Sequence, residues 1–458
     1  MVALGGVSLR ATFATGTLAY RAIPCFVALG SFLALSAVYL LGHHDAYMAI
    51  LRLYGVDPFR FPFLDISGPL AAWDCTRLGI DVVEHNPCDV LGRGYTYSPL
   101  WMAGSFIPLG TGATGVVGWV LGLLFILSLT LLPPARRPWE LVLVVLATNS
   151  TMVVFAVERA NQDIILFMLA LCAGFLAGGS LPARLVAYLV ALGAALIKYY
   201  PITLLILSFR ERVAVFLANG LAMAGLIVLF LAAYLPDVER GLPLIASGSY
   251  FANWFAAKNL PFGVTELIFG MSGRSADTFT FTLLGTALYG VLVLSGALIC
   301  RRLLTRTALR QTFSRILGYE RIFLVVGSTL IVGCFFAGQS TGYRGIFLLF
   351  VLPGLLAIAR VAADSATRRL CRAAAIVLLL LMWGEFFRTG LAAILARLDI
   401  SPLSGTVSTL IFWLAREFAW WWIVSVMVAF LISFLAESET VRGLVQLSRR
   451  YLSSARAQ

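Results

Sequence analysis

Apolar runs about as long as a bilayer is thick recur along the whole chain, and they leave few folds open. Stretches of ~20 mostly apolar residues, coiled into α-helices, match the hydrocarbon core of a membrane. Candidate runs cover 22–42, 113–132, 140–157, 162–179, 184–198, 200–209, 213–235, 279–300, 322–338, 345–361, 372–392 and 418–436. The 458 residues are 60% hydrophobic and 12% charged, and their mean hydropathy is +0.92. A soluble core cannot hide that much apolar surface. The expectation is an all-α, polytopic transmembrane bundle of about 12 helices, one integral membrane domain over 1–458. Two runs flanking Pro201 are short. Such segments are tolerated only where protein or a water-filled cavity surrounds the freed backbone groups.

The net charge of +12 would suggest nucleic acid in a soluble protein. Here it reads as topology, because arginine collects in cytoplasmic loops. Arg136 and Arg137, Arg210 and Arg212, the set from Arg301 to Arg315, and Arg368, Arg369 and Arg372 all lie between runs, and Arg442, Arg449 and Arg450 lie in the tail. These sets share one side if the runs are as given, so both termini are expected inside. Merging 184–198 with 200–209 would reverse the side of everything that follows. Arg10 and Arg21 precede or open the first run and no small-residue cleavage site follows it, so an uncleaved signal anchor is expected. The tail, 437–458, alternates Val441, Leu444, Val445 and Leu452 with basic residues, as a helix lying along the cytoplasmic surface would.

Four polar islands then fall on the outer side. The first is an outer loop, 43–101, with seven carboxylates between Asp45 and Asp89 and all three histidines of the chain. The others are Glu158 to Asp163, Lys198 to Pro201 and Gly338 to Arg344. In the first loop Ile66, Leu70, Trp73 and the stem of Arg77 have helical spacing, which suits a helix lying in the membrane interface. Asp65 sits among Phe61, Pro62, Phe63, Leu64 and Ile66. Burial raises the basicity of a carboxylate, as a general base requires; a negative charge in the first turn of a helix is the other reading. Asp45, just beyond the first run, is the competing base or else an interface residue. Lys198 ends an apolar run, where lysine either snorkels or contacts a phosphate. Arg344 has the same two readings, with a bidentate fork available for phosphate. Glu158 and Arg159 form an ion pair at a helix end or serve the site, and Asn161 and Asp163 open the next run, where Asn also caps. Cys75 and Cys88 share the outer loop, where oxidising conditions favour a disulfide. The other five cysteines are scattered in or beside apolar runs. His43 and His44 read as interface residues, and no spacing supplies enough ligands for a zinc site. No metal and no other cofactor is expected.

In order along the chain, these islands resemble the polytopic GT-C glycosyltransferases, and within them glycosyltransferase family 87, which includes polyprenol-phosphate-mannose-dependent mannosyltransferases. The likeness spans roughly residues 20 to 360. It runs through Asp65 and the helix after it, Asn86-Pro87-Cys88-Asp89, Tyr95-Thr96-Tyr97-Ser98-Pro99-Leu100-Trp101, Glu158-Arg159-Ala160-Asn161, Ala195-Leu196-Ile197-Lys198-Tyr199-Tyr200-Pro201 and Tyr343-Arg344-Gly345-Ile346-Phe347. The family often has Gly where this chain has Ala160, and a Tyr-Pro-Pro-like sequence at Tyr97-Ser98-Pro99. The resemblance implies an inverting transfer of a sugar from a polyprenyl-phosphate donor to a lipid or glycan acceptor, at the outer face of a plasma (inner) membrane. Asp65 would act as base, Lys198, Tyr343 and Arg344 would meet the donor phosphate, and Tyr97, Glu158, Arg159 and Asn161 would line the substrate cavity. A transporter or lipid flippase also places charges at broken helices, and a polysaccharide polymerase or ligase is a third reading.

Overall fold

The computed structural model describes residues 15–245, 247–272, 277–398 and 402–457. Arg10 of the expected anchor lies outside them, as do the side chains of Arg450 and Leu452 in the tail. Among the described residues the regular structure is helical, apart from one antiparallel ladder of β1 (Trp254–Phe255) on β2 (Ser340–Thr341).

The first half of the chain builds the site. Helix α1 (Thr15–Leu40) is followed by α2 (His44–Leu53) and α3 (Leu64–Arg77), then by α4 (Thr114–Ser128). Helices α5 (Pro138–Thr148) and α6 (Thr151–Arg159) are two parts of one apolar rod, and α7 (Gln162–Ala177) packs along α8 (Leu181–Ile197). A 3-10 stretch, Tyr200–Arg210, runs back along α8. The second half comprises α9 (Val213–Gly241), α10 (Asn259–Ser272), α11 (Thr278–Leu304), α12 (Thr307–Arg315), α13 (Gly318–Ala337), α14 (Leu348–Val361), α15 (Ser365–Met382), α16 (Gly384–Arg397), α17 (Pro402–Glu437) and α18 (Glu439–Ala457).

Eight of the described helical segments are long and apolar enough to cross a membrane, so the chain is a multi-pass membrane protein of all-α type. A ninth arises if α15 and α16, bent by 63° at Trp383, count as one span. The remaining apolar runs form α7, α8 and the 3-10 stretch, each shorter than a full span. The 3-10 stretch explains how so few residues bridge the bundle. A 3-10 helix rises ~2.0 Å per residue against ~1.5 Å for an α-helix, so Tyr200–Arg210 covers about 22 Å, close to the length of α7. Its two ends confirm this: the Tyr200 hydroxyl touches Asp163 at the start of α7, and Arg210 reaches the Ala177 carbonyl at its end. Pro201 sits in the first turn, where a missing N–H is harmless.

The core lies where α7, α13 and α14 meet. Phe167 stacks on Phe350 at 4.2 Å between ring centres, and Phe350 stacks on Phe323. Glycine lets α13 and α14 approach: a Cβ on Gly327 would come within 2.7 Å of Val351, and one on Gly354 within 2.6 Å of Leu324. Helices α9 and α11 carry rows of exposed leucine and valine and face outward.

The two ends of the bundle differ in charge. At one end Arg360 donates to both Glu140 and Glu320, and Arg136 joins them. The tail helix α18 is tied to the same end, where Thr440 donates to the Glu211 carbonyl at 2.6 Å. The polar islands gather at the opposite end. There α3 departs from the expected interfacial helix. Beyond Ile66, Leu70 and Trp73 it also buries Leu64, Ser67, Pro69, Ala71, Ala72 and Cys75, so protein, not lipid, surrounds it. The Trp73 indole donates to the Trp101 carbonyl at 2.7 Å, and Arg77 caps the carbonyls of Ser105, Ile107 and Leu109.

Candidate active site

Two backbone positions in the left-handed region aim the first carboxylate. Phe63 has φ 67° and Ala160 has φ 44°, conformations that residues with a Cβ rarely adopt. The Phe63 N–H donates to the Glu158 carbonyl at 2.7 Å, which ties the start of α3 to the end of α6. Its ring fits only because α4 has Gly118 opposite, where a Cβ would stand 2.2 Å from the ring. Asp65 therefore enters the first turn of α3 directly over the break between α6 and α7.

Asn161 links that carboxylate to the next. As the cap of α7 it accepts from the Asp163 N–H at 2.9 Å, and its amide donates to Asp65 Oδ2 at 2.6 Å. Gln162 Nε2 donates to the Asp65 carbonyl at 3.1 Å. Asp163, fully buried, accepts at Oδ1 from Lys198 Nζ at 2.7 Å and from the Tyr200 hydroxyl at 2.8 Å. Its Oδ2 lies 3.6 Å from Arg344 Nε, too far for a hydrogen bond, and the guanidinium lies 4.9 Å over the Tyr200 ring. Among the described residues no protein hydrogen bond engages the terminal nitrogens of Arg344. Two cations thus face one carboxylate, and the fork of the arginine is free.

Burial pushes the Asp65 carboxyl above the ordinary range, against the Asn161 amide and the charges of Arg159, Arg93 and Lys198, which lower it. Burial and the Asp65 charge push the Tyr97 phenol up. Asp89 is moved the other way: burial raises it, but Arg93 and backbone N–H groups outweigh that and hold it below the usual range. Arg93 binds both Asp89 oxygens and reaches the Leu64 carbonyl at 3.4 Å, so the far part of the outer loop supports the residue beside Asp65. Cys75 and Cys88 are bridged, with Cα atoms 5.8 Å apart, and the bridge closes this part of the loop.

The structure brings Asp65, Asn161, Lys198 and Arg344 into one chain of contacts. Tyr97 and Tyr343 stand around it half-buried, Tyr343 edge-on to Phe155 at 5.4 Å. Glu158 and Arg159 pair at 3.1 Å on its flank. Arg159 donates to the Asp57 carbonyl and packs on Phe59, while Tyr47 donates to Glu158 at 3.2 Å. Asp45 stands apart. Helix α2 turns Tyr47 and Leu51 inward, which leaves Asp45 exposed on the other face. No hydrogen bond or ion pair joins it to Asp65 or to the cations. Among the described residues no three His, Cys, Asp or Glu side chains converge as metal ligands.

Asp163 and its partner Tyr200 are the residues to which the sequence assigned no role in the site. The signal at Asp163 was a charge in the first turn of an apolar run, a position that also suits an ordinary helix start. Compared with family models, curated proteins and solved structures, the chain matches none.

Proposed function

We propose that this chain is a membrane glycosyltransferase of the GT-C kind, similar to family 87, moving a sugar from a polyprenyl-phosphate donor to a lipid or glycan acceptor with inversion. The observation that carries it is the Asn161 bridge, which puts a half-buried, basic carboxylate beside a cluster with one surplus cation. Asp65 takes the proton of the acceptor hydroxyl. That oxygen attacks the anomeric carbon as the bond from this carbon to the phosphate oxygen breaks. The phosphate leaves on its polyprenol with added negative charge, which Lys198 and the free fork of Arg344 stabilise. Tyr343 and Tyr97 shape the space between. Asp163 holds Lys198 and Tyr200 in place.

In this reading α7, α8, the 3-10 stretch and the α15–α16 pair each complete a crossing, giving twelve. The arginine-bearing end then faces the cytoplasm and the site faces the periplasm or exterior of a plasma (inner) membrane.

The test is Asp65→Asn in purified protein, offered a panel of polyprenyl-phosphate sugars. The amide keeps the shape but cannot take a proton, so transfer should be abolished while insertion and folding persist. Full activity in that variant would overturn the base assignment. Movement of labelled lipid across the bilayer with no covalent product would turn the reading to a flippase.

A further inference from the structure

At the arginine-bearing end of the bundle the buried carboxylates are matched. Arg360 and Arg136 serve Glu140 and Glu320, and Arg184 binds both oxygens of Glu211. One place at this end is not matched, where α17 stops at Glu437 and the chain bends into α18. Ser438 makes the bend: its hydroxyl donates to the Leu435 carbonyl at 2.6 Å and accepts from the Val441 N–H at 3.3 Å. Helix α18 is then held down by Thr440 on the Glu211 carbonyl and by Gly443, where a Cβ would stand 2.8 Å from Val213. Helix α12 packs on α17 as well. It buries Leu309, Thr312 and Phe313, with Phe313 stacked on Phe430 at 5.8 Å, and leaves Arg310 outside.

Three cations converge on Glu437. Arg321 of α13 lies 3.8 Å away, without a hydrogen bond, and the charges of Arg442 on α18 and Arg310 on α12 act on the same carboxylate. Arg310 and Arg442 are exposed, and among the described residues neither guanidinium has a hydrogen bond or an ion pair. Three guanidinium groups around one carboxylate leave a surplus of two positive charges, to which Arg210, close enough to act on Arg321, adds its own.

The surplus borders an apolar face. Leu444, Val445 and Leu447 of α18 are 46%, 44% and 54% exposed. Val441, Leu444 and Val445 share one side of the helix, and Arg442 and Arg449, seven residues apart, mark its edge. Open guanidinium forks beside exposed leucine suit a ligand with a phosphate at one end and hydrocarbon at the other. A soluble anion would satisfy the arginines but leave the apolar face uncovered.

We infer that this place holds an anionic glycerophospholipid. Arg310, Arg321 and Arg442 receive its phosphate, and its acyl chains lie against the apolar face of α18. The inference rests neither on the transferase reading nor on which leaflet this end meets.

Full-length protein is placed in phosphatidylcholine nanodiscs with a trace of one of two photoactivatable lipids carrying the same diazirine acyl chain: phosphatidylglycerol or phosphatidylcholine. Peptide mapping should show the anionic lipid labelling α18 on the order of tenfold more than the zwitterionic one, since each arginine near a membrane surface favours an anionic lipid about fivefold. The double variant Arg310→Gln, Arg442→Gln should bring the two lipids close to parity. Both side chains are exposed and unbonded, so the fold does not depend on them. The control pair Arg137→Gln, Arg369→Gln removes the same charge from exposed positions elsewhere at this end and should leave the preference intact. Equal labelling in the unaltered protein, or a preference indifferent to the first pair, would overturn the inference. A preference lost equally with the control pair would reduce the site to general attraction by a basic surface and overturn it too. Labelling abolished by millimolar inorganic phosphate at constant ionic strength would leave a free-anion site and overturn the lipid.

Discussion

At the scale of single residues, Asp65 is held in a balance that can be measured. Burial raises its pKa and the Asn161 amide is the strongest influence lowering it. In the proposed reaction Asp65 is the base and must be ionised, so activity should fall as pH drops through that raised value, above the ~3.9 of an ordinary aspartate. Asn161→Ala removes the donor and should move the acid limb of the kcat/KM profile to higher pH. It also uncaps α7 at about 1 kcal/mol, so the position of the limb, not the activity level, is the readout. An unmoved limb would mean that Asp65 is not the titrating base. Ala160 offers a second measurement. Its left-handed backbone costs on the order of 1 kcal/mol that glycine would not incur, so Ala160→Gly should raise Tm with transfer intact. The sequence marks Asp65 by its apolar neighbours and Lys198 by its place at the end of a run. It cannot mark Asp163, because the partners that give it meaning are 35 residues away at Lys198 and across the bundle at Arg344.

At the scale of elements, the outer loop works as a clasp. The bridge from Cys75 to Cys88 spans 13 residues, a closure worth roughly 3 kcal/mol in the chain-entropy account. Beyond it, Asp89 and Arg93 connect to the Leu64 carbonyl. Replacing both cysteines by serine should lower Tm by several degrees and reduce kcat, with KM for the donor little changed, since the cations lie on other helices. A fall in donor affinity alone would refute the clasp. The spacing of Ile66, Leu70 and Trp73 reveals a helix but not what covers it. That depends on Trp101, on Gly104, where a Cβ would stand 2.4 Å from the Trp73 ring, and on Gly118, whose fit is a matter of shape rather than of pattern. The 3-10 geometry of Tyr200–Arg210 is hidden for a like reason, since composition counts residues and not their rise.

At the scale of the whole molecule, one arginine joins three helices at the end opposite the site. Arg360 of α14 binds Glu140 of α5 and Glu320 of α13, and both carboxylates are buried. Arg360→Ala would take the nearest cation from two buried carboxylates, leaving Glu320 with Arg136 at 3.6 Å and Glu140 with the Arg136 N–H, and breaking such a pair costs on the order of 3–5 kcal/mol. A marked loss of folded protein, assayed by thermal unfolding in detergent, is expected, with partial recovery in the triple variant that also carries Glu140→Gln and Glu320→Gln. Recovery would be absent if Arg360 acted only through packing. The apolar runs place these helices in the sequence, and the arginine pattern assigns their ends. Which helix meets which follows from glycine and phenylalanine contacts that no run announces.

The burial of α3 also has a consequence in time. Asp65 meets the end of α6 and, through Asn161 and Gln162, the start of α7, and Asn161 leads on through Asp163 to Lys198, all of which leave the ribosome after it. At ~5–20 residues per second, Asp65 waits on the order of ten seconds before the last of these is made. In the proposed orientation the carboxylate is in water during this interval and the two cysteines meet oxidant. With the site on the exterior side, as proposed, the loop is expected to close on itself before it docks. Loss of the bridge should then show in the yield of assembled protein as well as in the stability of what does assemble.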